Sequence, residues 1–431
     1  MKSPFKILFL FAILATVSCS KKEDPIKEQT AALSLVLKSD AGSEELQVVG
    51  VNTTVVFTVE GNDGENYTDV SKLYVNDEEI TGSTYEFTTT GQYSVKAKYN
   101  DISTNTLNFE VLEPTQRVLT ISVPKAFRNQ TIIFGLRDDQ GNDTAADATF
   151  YVNNEEISGN TFSSPSVGDF EVYAVYEAND ETFTTEAKEF EVFIPKRKVV
   201  VEDYTGTWCG FCPGVAVAIE DLRDVTEHVA VVAIHKATST VPDPLDYPRV
   251  GELQAMFDVD NGFPKARINR TVDWPRPYVL SQATAIAGTD TDVSIAVNSQ
   301  LNGSILSVNV KVAYENGSTQ GDKVVVYLLE NGIVSPQANY FNETPGHPYE
   351  GLGNPIPNYV HNDGLRYSLS DLFGDAIPNL PAFQVHSKDY TFEVPSHYVG
   401  ENLSFVVMVV NADNSAKNAQ FSKINEFKNY E

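Results

Sequence analysis

Trp208-Cys209-Gly210-Phe211-Cys212-Pro213 is the segment from which the fold is read. Just after it, Val215, Ala218, Ile219 and Leu222 fall at i, i+3, i+4 and i+7, the apolar stripe of an amphipathic helix. Pro213 suits the first helical position, where a missing N–H breaks no bond. The spacing therefore predicts both cysteines at the amino end of a helix. Unpaired N–H groups and the positive end of the helix dipole favour thiolate over thiol there. Cys209 is expected to be the nucleophile, and Cys212, one turn on, to close a disulfide with it and resolve a mixed disulfide. A structural disulfide and half of a zinc site are the other readings. Zinc needs two further Cys or His ligands, and no second C-x-x-C occurs.

Working outward, Val199-Val200-Val201 opens an apolar strand before the motif, and Val229 to Ile234, bracketed by His228 and His235, forms another after the helix. Runs without alternation suit parallel strands covered on both faces, so the order strand, helix, strand predicts a right-handed βαβ unit. His235 reads as a strand-end marker. With the C-x-x-C, two further positions resemble the thioredoxin fold. Asp203, six residues before Cys209, matches the buried acid that in thioredoxins moves protons to and from the second cysteine, with Glu202 as its replacement if the strand register shifts by one. Pro264, in Asn261-Gly262-Phe263-Pro264, matches the cis-proline loop that faces the cysteine pair and aligns an extended substrate. A surface carboxylate and a plain turn are the bland readings of these two residues.

A wider resemblance runs from about residue 198 to the C-terminus. It is carried by Glu202-Asp203-Tyr204-Thr205-Gly206, Cys209-Gly210-Phe211-Cys212-Pro213, Gly262-Phe263-Pro264, Tyr327-Leu328-Leu329-Glu330-Asn331-Gly332-Ile333-Val334 with Gln337, and Tyr359-Val360-His361-Asn362 with Leu365-Arg366. This pattern is similar to the twenty-eight-kilodalton outer-membrane protein family, lipoproteins with a thioredoxin-like domain followed by a β-sandwich. The resemblance implies an outer-membrane location, with the leaflet left open, and no defined reaction. His361 and Arg366 lack an accompanying nucleophile or metal-ligand pattern, so they are read as packing or hydrogen-bonding residues of the sandwich.

Ahead of this region lies an internal repeat. Leu73-Tyr74-Val75-Asn76-Asp77-Glu78-Glu79-Ile80-Thr81-Gly82 recurs as Phe150-Tyr151-Val152-Asn153-Asn154-Glu155-Glu156-Ile157-Ser158-Gly159, and the same offset relates Phe57 to Phe134, Gly91 to Gly168, Val95 to Val172 and Tyr99 to Tyr176. Alternation at Tyr93, Val95, Ala97 and Tyr99 marks half-buried strands. Short strands between Asn, Asp and Gly clusters predict antiparallel sandwiches resembling bacterial surface immunoglobulin-like domains. Asp138-Asp139-Gln140-Gly141-Asn142-Asp143 is read as an exposed turn, with calcium binding the alternative. Alternation returns at Val293, Ile295 and Val297 and at Leu306, Val308, Val310 and Val312, and Phe405 to Val410 reads as a late central strand.

At the other end, Lys2 and Lys6 precede an apolar run, Ile7 to Val17, too short to span a bilayer, and Thr16-Val17-Ser18-Cys19 resembles a lipobox. Cys19 is the expected lipidation site, and the polar stretch Ser20 to Pro25 reads as a tether or, by a looser resemblance, a surface-export tag. The formal charge of −28 opposes nucleic acid and anionic headgroups as partners.

The expected architecture is multidomain and mostly β. It comprises a signal peptide (1–18), a lipidated tether (19–30), two immunoglobulin-like β-sandwich repeats (31–113 and 114–194), an α/β thioredoxin-like domain (195–288) and a C-terminal β-sandwich (289–431). The expected function is thiol-disulfide exchange on exported or surface proteins, with Cys209 attacking, Cys212 resolving, Asp203 shuttling the proton and Pro264 aligning the substrate. No cofactor and no metal is implied. The competing reading is a non-catalytic surface-binding or adhesion lipoprotein in which the C-x-x-C is a brace. Glycan or peptide capture by some of the 20 Tyr and 24 Phe is a weaker third, since strand aromatics mostly fill cores.

Overall fold

The computed structural model describes residues 33–43 and 46–431. The leader, the tether and the lipidation candidate Cys19 lie outside the described residues.

The sequence repeat is a repeat of structure. In the first copy, Leu35–Ser39, Thr53–Gly61 and Thr84–Phe87 form one sheet, and a second runs Leu46–Gly50, Leu107–Leu112, Gly91–Tyr99, Lys72–Val75, Glu78–Ile80. The second copy repeats both orders with Val118–Ile121, Ile132–Arg137, Thr161–Phe162 and with Lys125–Phe127, Lys188–Phe193, Gly168–Ala178, Ala148–Val152, Glu155–Glu156. The equivalent residues Phe57 and Phe134, and Val95 and Val172, fill the two cores. The repeated hairpins turn at Asn76-Asp77 and Asn153-Asn154, where both central residues have positive φ, as the two-residue turn that follows strand twist demands. Each leading Asn also accepts a backbone N–H, from Ser94 and from Glu171. In the Asp138 loop the carboxylate accepts the N–H groups of Gln140 and Asn142, the bonding of a self-contained turn.

Beyond Pro195 the chain builds one nine-stranded sheet. Its main strands are β1 (Val199–Thr205), β2 (Val229–His235), β3 (Lys265–Ile268), β4 (Val272–Asp273), β5 (Lys323–Glu330), β6 (Gly364–Ser368), β7 (Leu403–Val410) and β8 (Ala416–Lys423), in the order β4-β3-β1-β2-β6-β5-β7-β8. Between β1 and β2, which are parallel, runs helix α1 (Pro213–Val225). β3 lies antiparallel to β1. The sheet does not stop where the sequence changes character near residue 289. β2 is apolar from Val229 to Ile234 and buried from Ala230 onward, and its second edge is taken by β6, with Ala233 opposite Gly364. A strand with both faces covered needs partners on both edges to satisfy its backbone.

The two faces of this sheet are packed differently. Val199, Val201 and Val231 meet Val215, Ile219 and Leu222 of α1. The opposite side of β1 and β2, with alternate residues of β5 and β7, forms a second core beneath α2 (Val250–Met256). The remaining side chains of β5 and β7, including Val324, Val326, Phe405 and Val407, face a four-stranded sheet built on Val293–Asn302 and Ile305–Tyr314, which makes the C-terminal sandwich. The second N-terminal sandwich rests on that region through Arg128, bidentate to Glu315 at 2.9 and 3.0 Å.

One ion pair is fully buried in the second core. Arg270 Nε meets Glu202 Oε1 at 2.8 Å, Arg270 Nη2 donates to the Tyr327 hydroxyl at 2.8 Å, and the guanidinium lies over the Phe257 ring. Removing one member leaves the other charged and desolvated. Arg270→Met is expected to cost about 3–5 kcal/mol, and Arg270→Met/Glu202→Met to recover most of it. Urea denaturation of the three proteins checks this; equal midpoints for the single and double variants would refute it.

Candidate functional site

The site forms where β1 ends. β1 is buried at every position, so its side chains alternate between two packed faces. Glu202 points to the core that holds Arg270, and Asp203 to the face covered by α1. This separates the two register options left open by the sequence: Asp203 lines the same cavity as Cys212, and Glu202 does not.

From Thr205 the chain turns through Gly206 to the cysteines. Cys209 N–H donates to Gly206 O, Cys212 N–H to Cys209 O and Val215 N–H to Cys212 O. α1 begins at Pro213 with Cys212 as its N-cap. Cys212 therefore occupies the helix terminus, whereas Cys209 lies in the turn before it, one step short of the expected place. The two are joined in a disulfide, with Cα atoms 5.4 Å apart. Each residue is only 3% exposed.

The turn is pinned from several directions. Trp208 donates through Nε1 to Lys236 O at 2.7 Å and stacks on Phe263, with ring centres 5.8 Å apart. Phe263–Pro264 is a cis peptide immediately before β3, so the proline loop adjoins the cysteine turn through this stack. Phe211, half exposed between the cysteines, borders a cavity of about 420 Å³ that Phe263, Pro264 and Trp274 also line. Thr207 N–H donates to Asp243 Oδ2, which also meets His235 Nδ1 at 3.0 Å. Burial pushes Asp243 upward, but the bonds from His235, Thr207 and Leu245 outweigh it and hold the carboxyl at about 2. His235 is thus a buried, paired residue and more than a strand-end marker.

Behind Cys212 lies a cavity of about 380 Å³ containing Asp203, His235, His361, Tyr359 and Asp363. Its floor follows from strand register. Asp203 of β1 is opposite Ala233 of β2, Ala233 is opposite Gly364 of β6, and Asp363 immediately precedes β6. The small side chain of Ala233 leaves the two carboxyls facing the same space. Asp363 is held by Arg223 of α1 at 2.8 Å, and Arg223 continues to Glu220. Among the described residues, no cation balances Asp203. Its Oδ1 is buried without a hydrogen-bond partner, and burial, then the nearby Asp363, pushes its carboxyl up to about 8. His361 Nε2 is likewise buried and unpartnered, and burial followed by His235 holds that imidazole down at about 4. His361 was expected in the sandwich; it lines this cavity instead. Arg366 does pack structurally, 3.2 Å from Glu330 and over the Tyr398 ring. Among the described residues no group of three or more His, Cys, Asp or Glu is arranged to hold a metal.

A loop from the C-terminal half roofs the cysteines. It springs from the two-stranded sheet Ile333–Gln337 with Ile356–His361. Gln337 Nε2 donates to Cys209 O at 2.9 Å, Ala338 N–H to Thr207 O and Tyr340 N–H to Gly210 O, each at 2.8 Å. Gln337 stood in the sequence pattern, but its position over the pair was not legible there.

Residues 252–428 match the family model of outer membrane protein Omp28. That segment includes Pro264, the roofing loop and Asp363 and supports the outer-membrane family drawn from the sequence; Cys209 and Cys212 lie before it. Among solved structures, HBP35 of Porphyromonas gingivalis is 20% identical, covering 54% of this chain and 77% of its own, with a TM-score of 0.42. The D0-D1 domain of intimin is 15% identical, covering 36% and 96%, at 0.23. The fibronectin(III)-like modules of Clostridium thermocellum CbhA are 15% identical, covering 37% and 93%, at 0.16. These overlaps are too loose to carry fold or function. The search of curated proteins finds no match. Among the described residues no helix is long and apolar enough to cross a membrane.

The state of Asp203 has a measurable consequence. Its folded pKa is raised, so the folded protein keeps a proton that the unfolded chain releases above its ordinary carboxylate pKa. Stability should fall by about 1.4 kcal/mol per pH unit as pH rises from about 4 to about 8, and level off beyond. Asp203→Asn should lack this slope. Urea denaturation of both proteins across that range checks it, and parallel pH profiles would refute it.

Proposed function

We propose that this chain is an outer-membrane lipoprotein, anchored at Cys19, whose residues 195–288 form a thioredoxin-like unit that exchanges disulfides with exported proteins. The two N-terminal sandwiches, of immunoglobulin-like type, would space that unit from the membrane. The parallel β1 and β2 around α1, the cysteine pair in the turn that leads into that helix and the Phe263-Pro264 loop stacked on Trp208 beside it support the thioredoxin-like reading.

The observation that carries the reaction is the uncompensated carboxyl of Asp203 in the cavity behind Cys212. A buried, unpaired acid is a cost to the fold, and a disulfide that serves only as a brace has no use for one. From the disulfide state the steps balance as follows. A substrate thiolate attacks Sγ of Cys209, the Cys209–Cys212 bond breaks, and the Cys212 thiolate leaves. Protonated Asp203 gives that thiolate its proton. A second substrate thiolate then attacks the substrate sulfur of the mixed disulfide, and Cys209 leaves as thiolate. The substrate dithiol is oxidised to a disulfide and the protein disulfide is reduced. Pro264, at the edge of the neighbouring cavity, would align the extended substrate.

The second reading, a surface-binding protein with an inert brace, is favoured by one observation: both cysteines are buried beneath the roofing loop. A reduction potential that resists millimolar thiol would support the brace.

Two measurements test the exchange reading. Run in reverse, the same steps have the Cys209 thiolate attack a substrate disulfide and Cys212 resolve the mixed disulfide, so Cys212→Ser should accumulate mixed disulfides with disulfide-bearing envelope proteins, while Cys209→Ser should not; equal, background-level trapping in both would sink the proposal. Asp203→Asn should slow exchange roughly a hundredfold near pH 6–7. The deficit should shrink above pH 8, where Asp203 in the parent protein is itself ionised.

A further inference from the structure

The roof over the cysteines is built to hold its own shape. Asn339, fully buried, donates through Nδ2 to Tyr349 O and Gly353 O, and its own N–H donates to Asn354 Oδ1. Asn342 accepts from Gly353 N–H through its side chain and from Gly351 N–H through its carbonyl. Phe341 stacks on His347 with ring centres 3.9 Å apart. All of these bonds stay within residues 338–355, so the segment is a compact loop closed at its base by one hairpin, a construction often found in functional loops.

Its attachment to the cysteine turn is slight by comparison. Four hydrogen bonds reach across, from Gln337 to both Gly206 and Cys209, from Ala338 to Thr207 and from Tyr340 to Gly210. The rest is ring contact. The edge of Phe211 meets Tyr340 and Phe341 at 5.1 and 5.8 Å. Where this surface is covered, the chain uses glycine. A Cβ on Gly210 would stand 2.4 Å from the Tyr340 ring, and one on Gly214 would stand 2.9 Å from the Phe341 ring. Glycine in the first turn of a helix is unfavourable unless something needs the space, and here the Phe341 ring does.

We infer that residues 338–355 form a lid that closes over Cys209 and lifts as a unit, so that access to the disulfide is selected by what can raise it. This rests on the exchange reading for its purpose, though not for its test. Lifting keeps the internal bonds of the loop and breaks the few contacts that leave it: those to the cysteine turn, the Tyr349–Tyr359 hydroxyl bond and the Arg276 contact with the Phe341 ring. The open form is therefore a minor population of the folded protein and requires no global unfolding.

The test follows reduction of the disulfide in the oxidised full-length protein by dithiothreitol, read by alkylation and mass shift. Gln337→Ala/Tyr340→Ala should be reduced at least roughly tenfold faster than the parent, because the Gln337 side-chain bonds and the Tyr340 ring contact with Phe211 are gone while the backbone bonds of residues 338 and 340 remain. Gly210→Ala should also be faster, since its Cβ and the Tyr340 ring cannot share one position. In every case the rate should depend only weakly on urea below the unfolding transition, as local opening requires, and thermal midpoints should stay close to that of the parent. Unchanged rates in both variants would overturn the lid. So would acceleration that tracks the full urea dependence of global unfolding. Faster reduction together with failed mixed-disulfide trapping would leave the lid standing and remove the exchange reading; successful trapping with unchanged reduction rates would do the reverse.

Discussion

The architecture beyond Pro195 depends on one strand being covered on both faces and paired on both edges. β1 has no exposed residue, and it places two adjacent carboxyls, Glu202 and Asp203, on opposite sides of the sheet. The structure treats them in opposite ways. Glu202 receives a guanidinium, a tyrosine network and a close-packed apolar surround. Asp203 receives a cavity, a second carboxyl and no cation of its own. Two acids of nearly the same chemistry thus become one half of a fixed ion pair and an uncompensated carboxyl, and the difference comes from strand alternation and from which element lies above each face.

The second carboxyl adds to the raised pKa of Asp203. Arg223 reaches Asp363 at 2.8 Å and opposes the upward push that burial gives it. A negative charge held there makes ionisation of Asp203 harder still, since like charges in a dry site raise the pKa of the weaker partner. The continuous sheet matters for this reason. Asp363 reaches the cavity because β6 takes the free edge of β2, and β6 belongs to the part of the chain that also builds the C-terminal sandwich. The α/β region and the sandwich therefore share one polar cavity as well as one sheet.

Local patterns made part of this legible in the sequence. Asn76-Asp77 and Asn153-Asn154 announce hairpins because few residues accept positive φ, and the repeated spacing around them gave two equal modules. The unbroken apolar runs of β1 and β2 gave a parallel pair, and the heptad-like stripe from Val215 to Leu222 gave α1. Non-local pairing stayed hidden. Nothing in Gly364 says that it will sit beside Ala233, so Asp363 could not be placed next to Asp203. Asn339 and Asn342 read as ordinary loop residues, because a loop's internal bonding leaves no periodicity. The helix start was misplaced by a turn for a simpler reason: Gly206 to Cys212 forms successive turns whose residues are compatible with helix but precede it.

The choice between a working disulfide and a brace comes down to which burial needs explaining. Enclosing a disulfide is no burden, because the bridge carries no charge and its sulfurs behave as apolar atoms. A loop with four crossing hydrogen bonds can cover it or leave it at small cost either way. Enclosing an unpaired carboxyl is another matter, because it lowers stability at every pH where the unfolded chain would ionise, and replacing it by an apolar residue would relieve that loss. A fold selected only for rigidity would gain by removing Asp203 and would lose nothing by keeping the lid. The lid is therefore compatible with both readings, while the uncompensated Asp203 is what favours the proposed exchange over the brace.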